Sequence, residues 1–260
     1  MMILKTCISG QMGNYMDIIE GALMNITKKT VPLCKRIIPT ILSKNGNLVK
    51  GEAFKADRVC GDALAAARVH AMRGVDELLI FDLDCSEPNF EMIRKLTEDT
   101  FTPVTVGGGI SLLWDVERLF TAGADKVCIG SERSMIYVIA GKYGSQAVAA
   151  TLDVRDNTDY KDVIKQAKWM ADEGVGEIIL QGVEEDGTLA GYDLDLIARV
   201  AEKVNIPIVA SGGCSGYEDM YDALDAGASA VAVGALFQFT ACTPRGAAEY
   251  LSDRGVEVRL

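Results

Sequence analysis

Apolar residues along this chain gather in short runs of strand length, each followed by glycine or polar residues and then by a stretch with helical spacing. The runs cover 36–42, 77–82, 103–107, 126–130, 147–153, 177–181, 207–211 and 230–234. Helical spacing covers 61–72, 89–96, 113–121, 136–143, 161–172, 193–203, 217–225 and 245–252. Eight alternating strand–helix units predict an α/β fold, the (β/α)8 TIM barrel, over residues 35–260. A doubly wound open sheet is the alternative; it usually has fewer strands and no internal two-fold repeat.

The repeat is visible in the letters. PVTVGGGISLLWDVERLFTAGADKVCIGS (103–131) aligns without gaps on PIVASGGCSGYEDMYDALDAGASAVAVGA (207–235). Glu77-Leu78-Leu79-Ile80 likewise echoes Glu177-Ile178-Ile179-Leu180. The chain therefore reads as two half-barrels in tandem. Leu42 and Asp153 then occupy equivalent places at the C-terminal ends of the first and fifth strands, the ends that face the active mouth of such a barrel.

Residues 1–34 precede the pattern as an N-terminal extension. Lys5, Asp17 and Glu20 break its apolar character, so it does not read as a signal peptide. It holds either a short amphipathic helix over 16–26 or sequence upstream of a start at Met24. No apolar run approaches the roughly 20 residues that span a bilayer. The 26 glycines suit a barrel, and the net charge of −11 argues against a broad nucleic-acid surface while leaving room for a local phosphate pocket. Seven cysteines without a CxxC pair fit a reducing, cytoplasmic setting rather than a disulfide framework or zinc site. The single histidine, His70, reads as a structural or surface residue. No metal site and no cofactor is called for, and neither nucleic acid nor membrane is expected as a partner.

Three constellations could carry chemistry. Gly108-Gly109 and Gly212-Gly213 end strands, and Gly130-Ser131 and Gly234-Ala235 end the next ones. Bare glycine lets backbone N–H groups approach phosphate oxygens, and two equivalent copies point to a substrate with two phosphates, or to one retained and one decayed site. Asp153 is a general acid/base candidate, its alternative being a loop cap. Asp186, beside Gly187 and Thr188, either binds substrate or makes an Asp-Gly turn. At the opposite ends of the strands, Arg36, Glu77, Lys126 and Glu177 would meet in a salt-bridge ring. On general grounds that face serves stability.

The segments KRIIPTILSKNGNLVKG (35–51), GVDELLIFDLD (74–84), TVGGGI (105–110), GADKVCIG (123–130), GSQAVAATLD (144–153), GEIILQGVEEDGTLAGYD (176–193) and PIVASGG (207–213) resemble the cyclase subunit of imidazole glycerol phosphate synthase, HisF. The resemblance covers residues 35–260. It implies a barrel paired with a glutaminase subunit, whose ammonia enters the bottom and reacts at the top with a bis-phosphorylated substrate. It makes Arg36, Glu77, Lys126 and Glu177 an ammonia gate and turns Asp125 and Gln146 toward the glutaminase. It assigns phosphate contacts to Gly109, Gly213 and Gly234, and Lys50 to a flexible loop that closes over substrate. Asp153 matches one of two catalytic aspartates.

The other catalytic aspartate is expected at 42, where this chain has leucine. Gly130-Ser131 replaces the usual Asn-Thr, Gln181-Gly182 replaces Thr-Ser, and the segment from Asp153 to Glu177 is shorter than usual. Leu42 followed by Lys44-Asn45-Gly46 is also similar to a divergent branch that accompanies a glutaminase homologue in surface-polysaccharide loci. That resemblance implies amidination of a nucleotide- or phospho-sugar with a separate sugar amidotransferase. The alternatives are the histidine-pathway cyclase and a non-catalytic ammonia conduit that activates a glutaminase.

Overall fold

The computed structural model describes residues 33–83, 87–130 and 132–260. The helix expected over 16–26 lies outside them. Strand β1 (Arg36–Lys44) is followed by an antiparallel hairpin, β2 (Asn47–Glu52) and β3 (Lys55–Asp62), and by helix α1 (Ala63–Met72). Then come β4 (Leu78–Asp82), α2 (Phe90–Asp99), β5 (Val104–Gly107), α3 (Leu113–Thr121), β6 (Lys126–Ile129), α4 (Ile136–Tyr143), β7 (Val148–Val154) and α5 (Tyr160–Asp172). The chain ends with β8 (Glu177–Gly182), α6 (Leu194–Lys203), β9 (Ile208–Ser211), α7 (Tyr217–Asp225), β10 (Ala230–Val233), a short α8 (Ala235–Phe239) and α9 (Pro244–Asp253).

Strands β1, β4, β5, β6, β7, β8, β9 and β10 pair in parallel, in that order. β10 closes the circle on β1 with Arg36 opposite Ala230 and Pro39 opposite Val233. The sheet is thus the predicted closed barrel. Lys35 N also donates to Glu257 O at 2.7 Å, so the two ends of the barrel segment meet.

The hairpin corrects the expectation of a loop running into a helix at 61. Asn45 (φ 50°) and Gly46 (φ 74°) make the left-handed two-residue turn that folds β2 back on β1, and Ala53 (φ 49°) and Phe54 (φ 63°) make the second such turn, between β2 and β3. Asn-Gly between apolar runs is a direct signal for the β1–β2 turn. Helix α1 starts only after Asp62, whose side chain caps it by accepting from Ala65 N at 2.6 Å. The short helix α8 was likewise not expected.

Because both faces of each barrel strand are covered, the strands read as nearly continuous apolar runs. Outward positions such as Ile41, Ile80, Ile178 and Val231 join the helices in the larger core. Inward positions Ile38, Leu79, Cys128, Ala149, Ile179, Val209, Ala230 and Ala232 fill the barrel's centre. The period of two then fixes the rest of β1: Arg36 lies below that plug, and Thr40 and Leu42 lie above it.

Candidate functional site

The four charged residues at the strand starts form a closed cycle of alternating sign. Arg36 Nη1 donates to Glu77 Oε2 at 2.5 Å and Nη2 to Glu177 Oε2 at 2.7 Å. Lys126 Nζ donates to Glu77 Oε1 at 3.0 Å and to Glu177 Oε1 at 2.5 Å. Thr105 Oγ1 adds a third donor to Glu77. Burial alone would push the Glu177 carboxyl up, but Lys126 and Arg36 outweigh it and hold it below the usual range. Asp125 and Gln146 are exposed at the same end. Asp125 Oδ2 accepts from Val104 N at 2.9 Å, and Gln146 Nε2 donates to Tyr143 O at 3.2 Å.

Above the apolar plug, the C-terminal strand ends enclose a cavity of about 310 Å³. Asp153, Asp186, Lys50, Gly108, Gly109, Gly130, Gly187, Gly212, Gly213, Gly234 and Ala235 all line it. The two glycine pairs have matching geometry. Gly108 (φ 86°) and Gly212 (φ 88°) are left-handed, and a Cβ on either would run into a neighbouring carbonyl, that of Asp82 or Gly182.

Lys50 comes from β2, yet it is only 4% exposed, because the hairpin folds over the mouth. Its Nζ fills the space a Cβ on Gly234 would need. Ala53 N at the hairpin tip donates to Asp186 O at 2.9 Å, tying the hairpin to the turn after β8. Burial lowers the Lys50 pKa, opposed by Asp186; burial raises the Asp186 pKa, opposed by Lys50 and a hydrogen bond from Gln181.

Asp153 is exposed to the cavity's solvent while the barrel rim surrounds its carboxyl. Desolvation raises its pKa, and Arg133 and then Arg155 pull it back. Leu42 lines the same cavity with an apolar side chain. Between plug and mouth lie Gln181, already noted as a departure from the family pattern, and Thr40, Thr151 and Ser211, polar residues not singled out in the sequence. Counting back by two from Asp153 would have found Thr151.

Thr188 does not line the cavity. It is exposed, and its Oγ1 donates to Glu185 O at 2.8 Å, because a hydroxyl after an Asp-Gly pair closes its own turn. Ser131 lies outside the described residues. His70 is buried, not at the surface, and packs on Phe237 with ring centroids 6.2 Å apart; burial takes its pKa to about 4. Asp156, Glu184 and Glu185 approach one another, but Glu184 accepts from Arg155 Nη1 and Asp156 N, both at 3.3 Å. No helix among the described residues is long and apolar enough to cross a membrane.

The family model described as histidine biosynthesis protein matches residues 36–243. The chain belongs to this family. Among its curated relatives, the HisF subunit of imidazole glycerol phosphate synthase from Chlorobium limicola is 36% identical over 250 residues, 88% of this chain and all of the relative. HisF of Chlorobium phaeobacteroides strain BS1 is 37% identical over 251 residues, with 88% of this chain and 100% of the relative covered. HisF of Pyrobaculum aerophilum is 36% identical over 248 residues, covering 86% and 98%. In this member of the histidine biosynthesis family, the matched region spans both the charged ring and the cavity.

Proposed function

We propose that this chain is the synthase subunit of an ammonia-using enzyme of the imidazole glycerol phosphate synthase type. A glutaminase subunit docks at the ring end, against Asp125 and Gln146. A substrate with two phosphates binds at the cavity end. The observation that carries this reading is the convergence of both glycine cradles, Lys50 and Asp153 on one cavity. The cradles and Lys50 hold the substrate's ends, leaving its centre over Asp153. A carboxyl with a raised pKa exchanges protons more readily near neutrality than an ordinary one, as adding ammonia and closing a ring require. The names of the relatives support the histidine-pathway version, in which ammonia and the formimino-aminocarboxamide ribulotide give imidazole glycerol phosphate and the aminoimidazole carboxamide ribotide.

The test uses the purified chain, the ribulotide and excess ammonium salt, with loss of precursor absorbance as readout. Turnover is expected, and Asp153→Asn is expected to lower it by about 100-fold or more. A folded wild type without turnover overturns the histidine-pathway version.

One observation favours a second reading. Leu42 lines the cavity at the place equivalent to Asp153, so of the two equivalent strand ends, β1 and β7, only β7 carries a carboxylate. That fits a different ammonia acceptor, namely a nucleotide- or phospho-sugar amidinated for surface polysaccharide with a sugar amidotransferase. A silent wild type whose Leu42→Asp variant gains ribulotide turnover would support it. Tight glutaminase binding with no turnover of any phosphosugar would support a non-catalytic conduit.

A further inference from the structure

The cavity wall is poorly supplied with positive charge for a doubly phosphorylated ligand. Lys50, the one lysine among the described lining residues, is committed to the Gly234 side. Among the described residues the opposite cradle, Gly108, Gly109 and Gly130, has no cation in the wall, and it shares that wall with Asp153, whose carboxylate repels a phosphate.

Arg133 stands behind that cradle. It opens the turn after β6, where its Nε donates to Gly130 O at 3.2 Å and its Nη1 to Gln166 Oε1, on α5, at 2.7 Å. These two bonds pin the guanidinium beside the glycine, and Nη2 has no hydrogen-bond partner among the described residues. Its field reaches into the mouth, where it lowers the Asp153 pKa more than Arg155 does. Arg155 is less suited, being exposed and paired with Glu184 at 3.3 Å. A pinned planar fork with a spare N–H suits a phosphate oxygen better than a mobile lysine would.

We propose that Arg133 is the phosphate-binding cation of the β6 side and so selects substrates phosphorylated at both ends. This rests on the reading of the mouth as a site for a phosphorylated substrate. It makes the two halves of the repeat chemically unequal: Lys50 from the hairpin serves one phosphate, and Arg133 from the β6 turn serves the other.

The experiment titrates inorganic phosphate into the full chain, followed by calorimetry and phosphorus NMR. Wild type is expected to bind phosphate at two places. Lys50→Gln should lose one event. Arg133→Gln should weaken the other by about 10- to 100-fold, with Arg133→Lys partly restoring it. The Lys50-dependent event persisting in Arg133→Gln reports that the variant is folded. Should Arg133→Gln not fold, Gln166→Leu keeps the cation but removes the shorter of its two pins, and the same event should weaken several-fold; unchanged affinity in that variant counts against the proposal. If wild type binds two phosphates and Arg133→Gln keeps both at full strength, the Arg133 assignment falls and the proposed function stands. A single event in wild type supports the assignment only if Arg133→Gln abolishes it. No phosphate uptake at all brings down the reading of the mouth, and this inference with it.

Discussion

At the scale of single residues, Asp153 and Leu42 define what the mouth can do. Desolvation raises the Asp153 pKa and Arg133 opposes it, so the carboxyl should titrate above the ordinary aspartate value of about 3.9. Arg133→Gln should move the titration further up, and carbon-detected NMR of the side chain through a pH series would measure both. A titration unmoved by the substitution would mean that the guanidinium's field does not reach the carboxylate. Asp153 was legible in the sequence because a carboxylate ending an apolar strand run is chemically conspicuous. Lys50 was placed through a resemblance, and its burial was not legible at all. Lysines are seldom buried, and this one is covered only because a hairpin, paired elsewhere, lies across the mouth.

At the scale of elements, the glycine cradles are backbone devices rather than gaps in the sequence. Gly212→Ala forces a side chain onto a left-handed residue and into the Gly182 carbonyl. It should cost about 1–3 kcal/mol in urea unfolding and abolish phosphate binding on that side. A variant as stable as wild type would show that the loop relaxes at no cost. All eight barrel strands were predictable, since strands covered on both faces leave uninterrupted apolar runs. The return of β2 on β1 is legible in Asn45-Gly46, but β3 is not, because Ala53-Phe54 carries no turn signature and the surrounding charged residues hide the alternation. Thr188 was misplaced for the converse reason: its local turn chemistry is complete without any ligand.

For the molecule as a whole, the two ends of the barrel carry opposite kinds of electrostatics. Exposed pairs such as Arg199–Asp195 and Arg245–Glu249 contribute little. In the ring, each carboxylate is about nine-tenths buried and bonded to both cations. Glu177→Gln would leave Arg36 and Lys126 sharing one carboxylate, at a cost of about 3 kcal/mol for an uncompensated, largely buried charge. The folded Glu177 carboxyl titrates below its unfolded value. Its stabilisation is therefore complete above the unfolded value, near ~4.3, and is lost as the pH falls through the lower folded one. Urea midpoints of wild type and Glu177→Gln should accordingly converge from neutral pH toward acid. A gap that stays constant would show that the ring's charge state does not matter to stability. The ring's members could be read from the sequence because they share one strand position, but their pairing depends on the closed circle.

The hydrogen bond from Lys35 N to Glu257 O has a consequence for the order in which this barrel must be written. Since the first strand's entrance touches the last residues, a short linker could join them and a new beginning could be opened elsewhere. The turn at Gly144–Gln146, between the two repeated halves, is exposed enough to accept the cut. A circularly permuted gene starting there would place the β7–β10 half ahead of the β1–β6 half. Its product should fold to the same barrel, which means that the linear sequence of genetic information is one of several equivalent readings of a closed molecular ring.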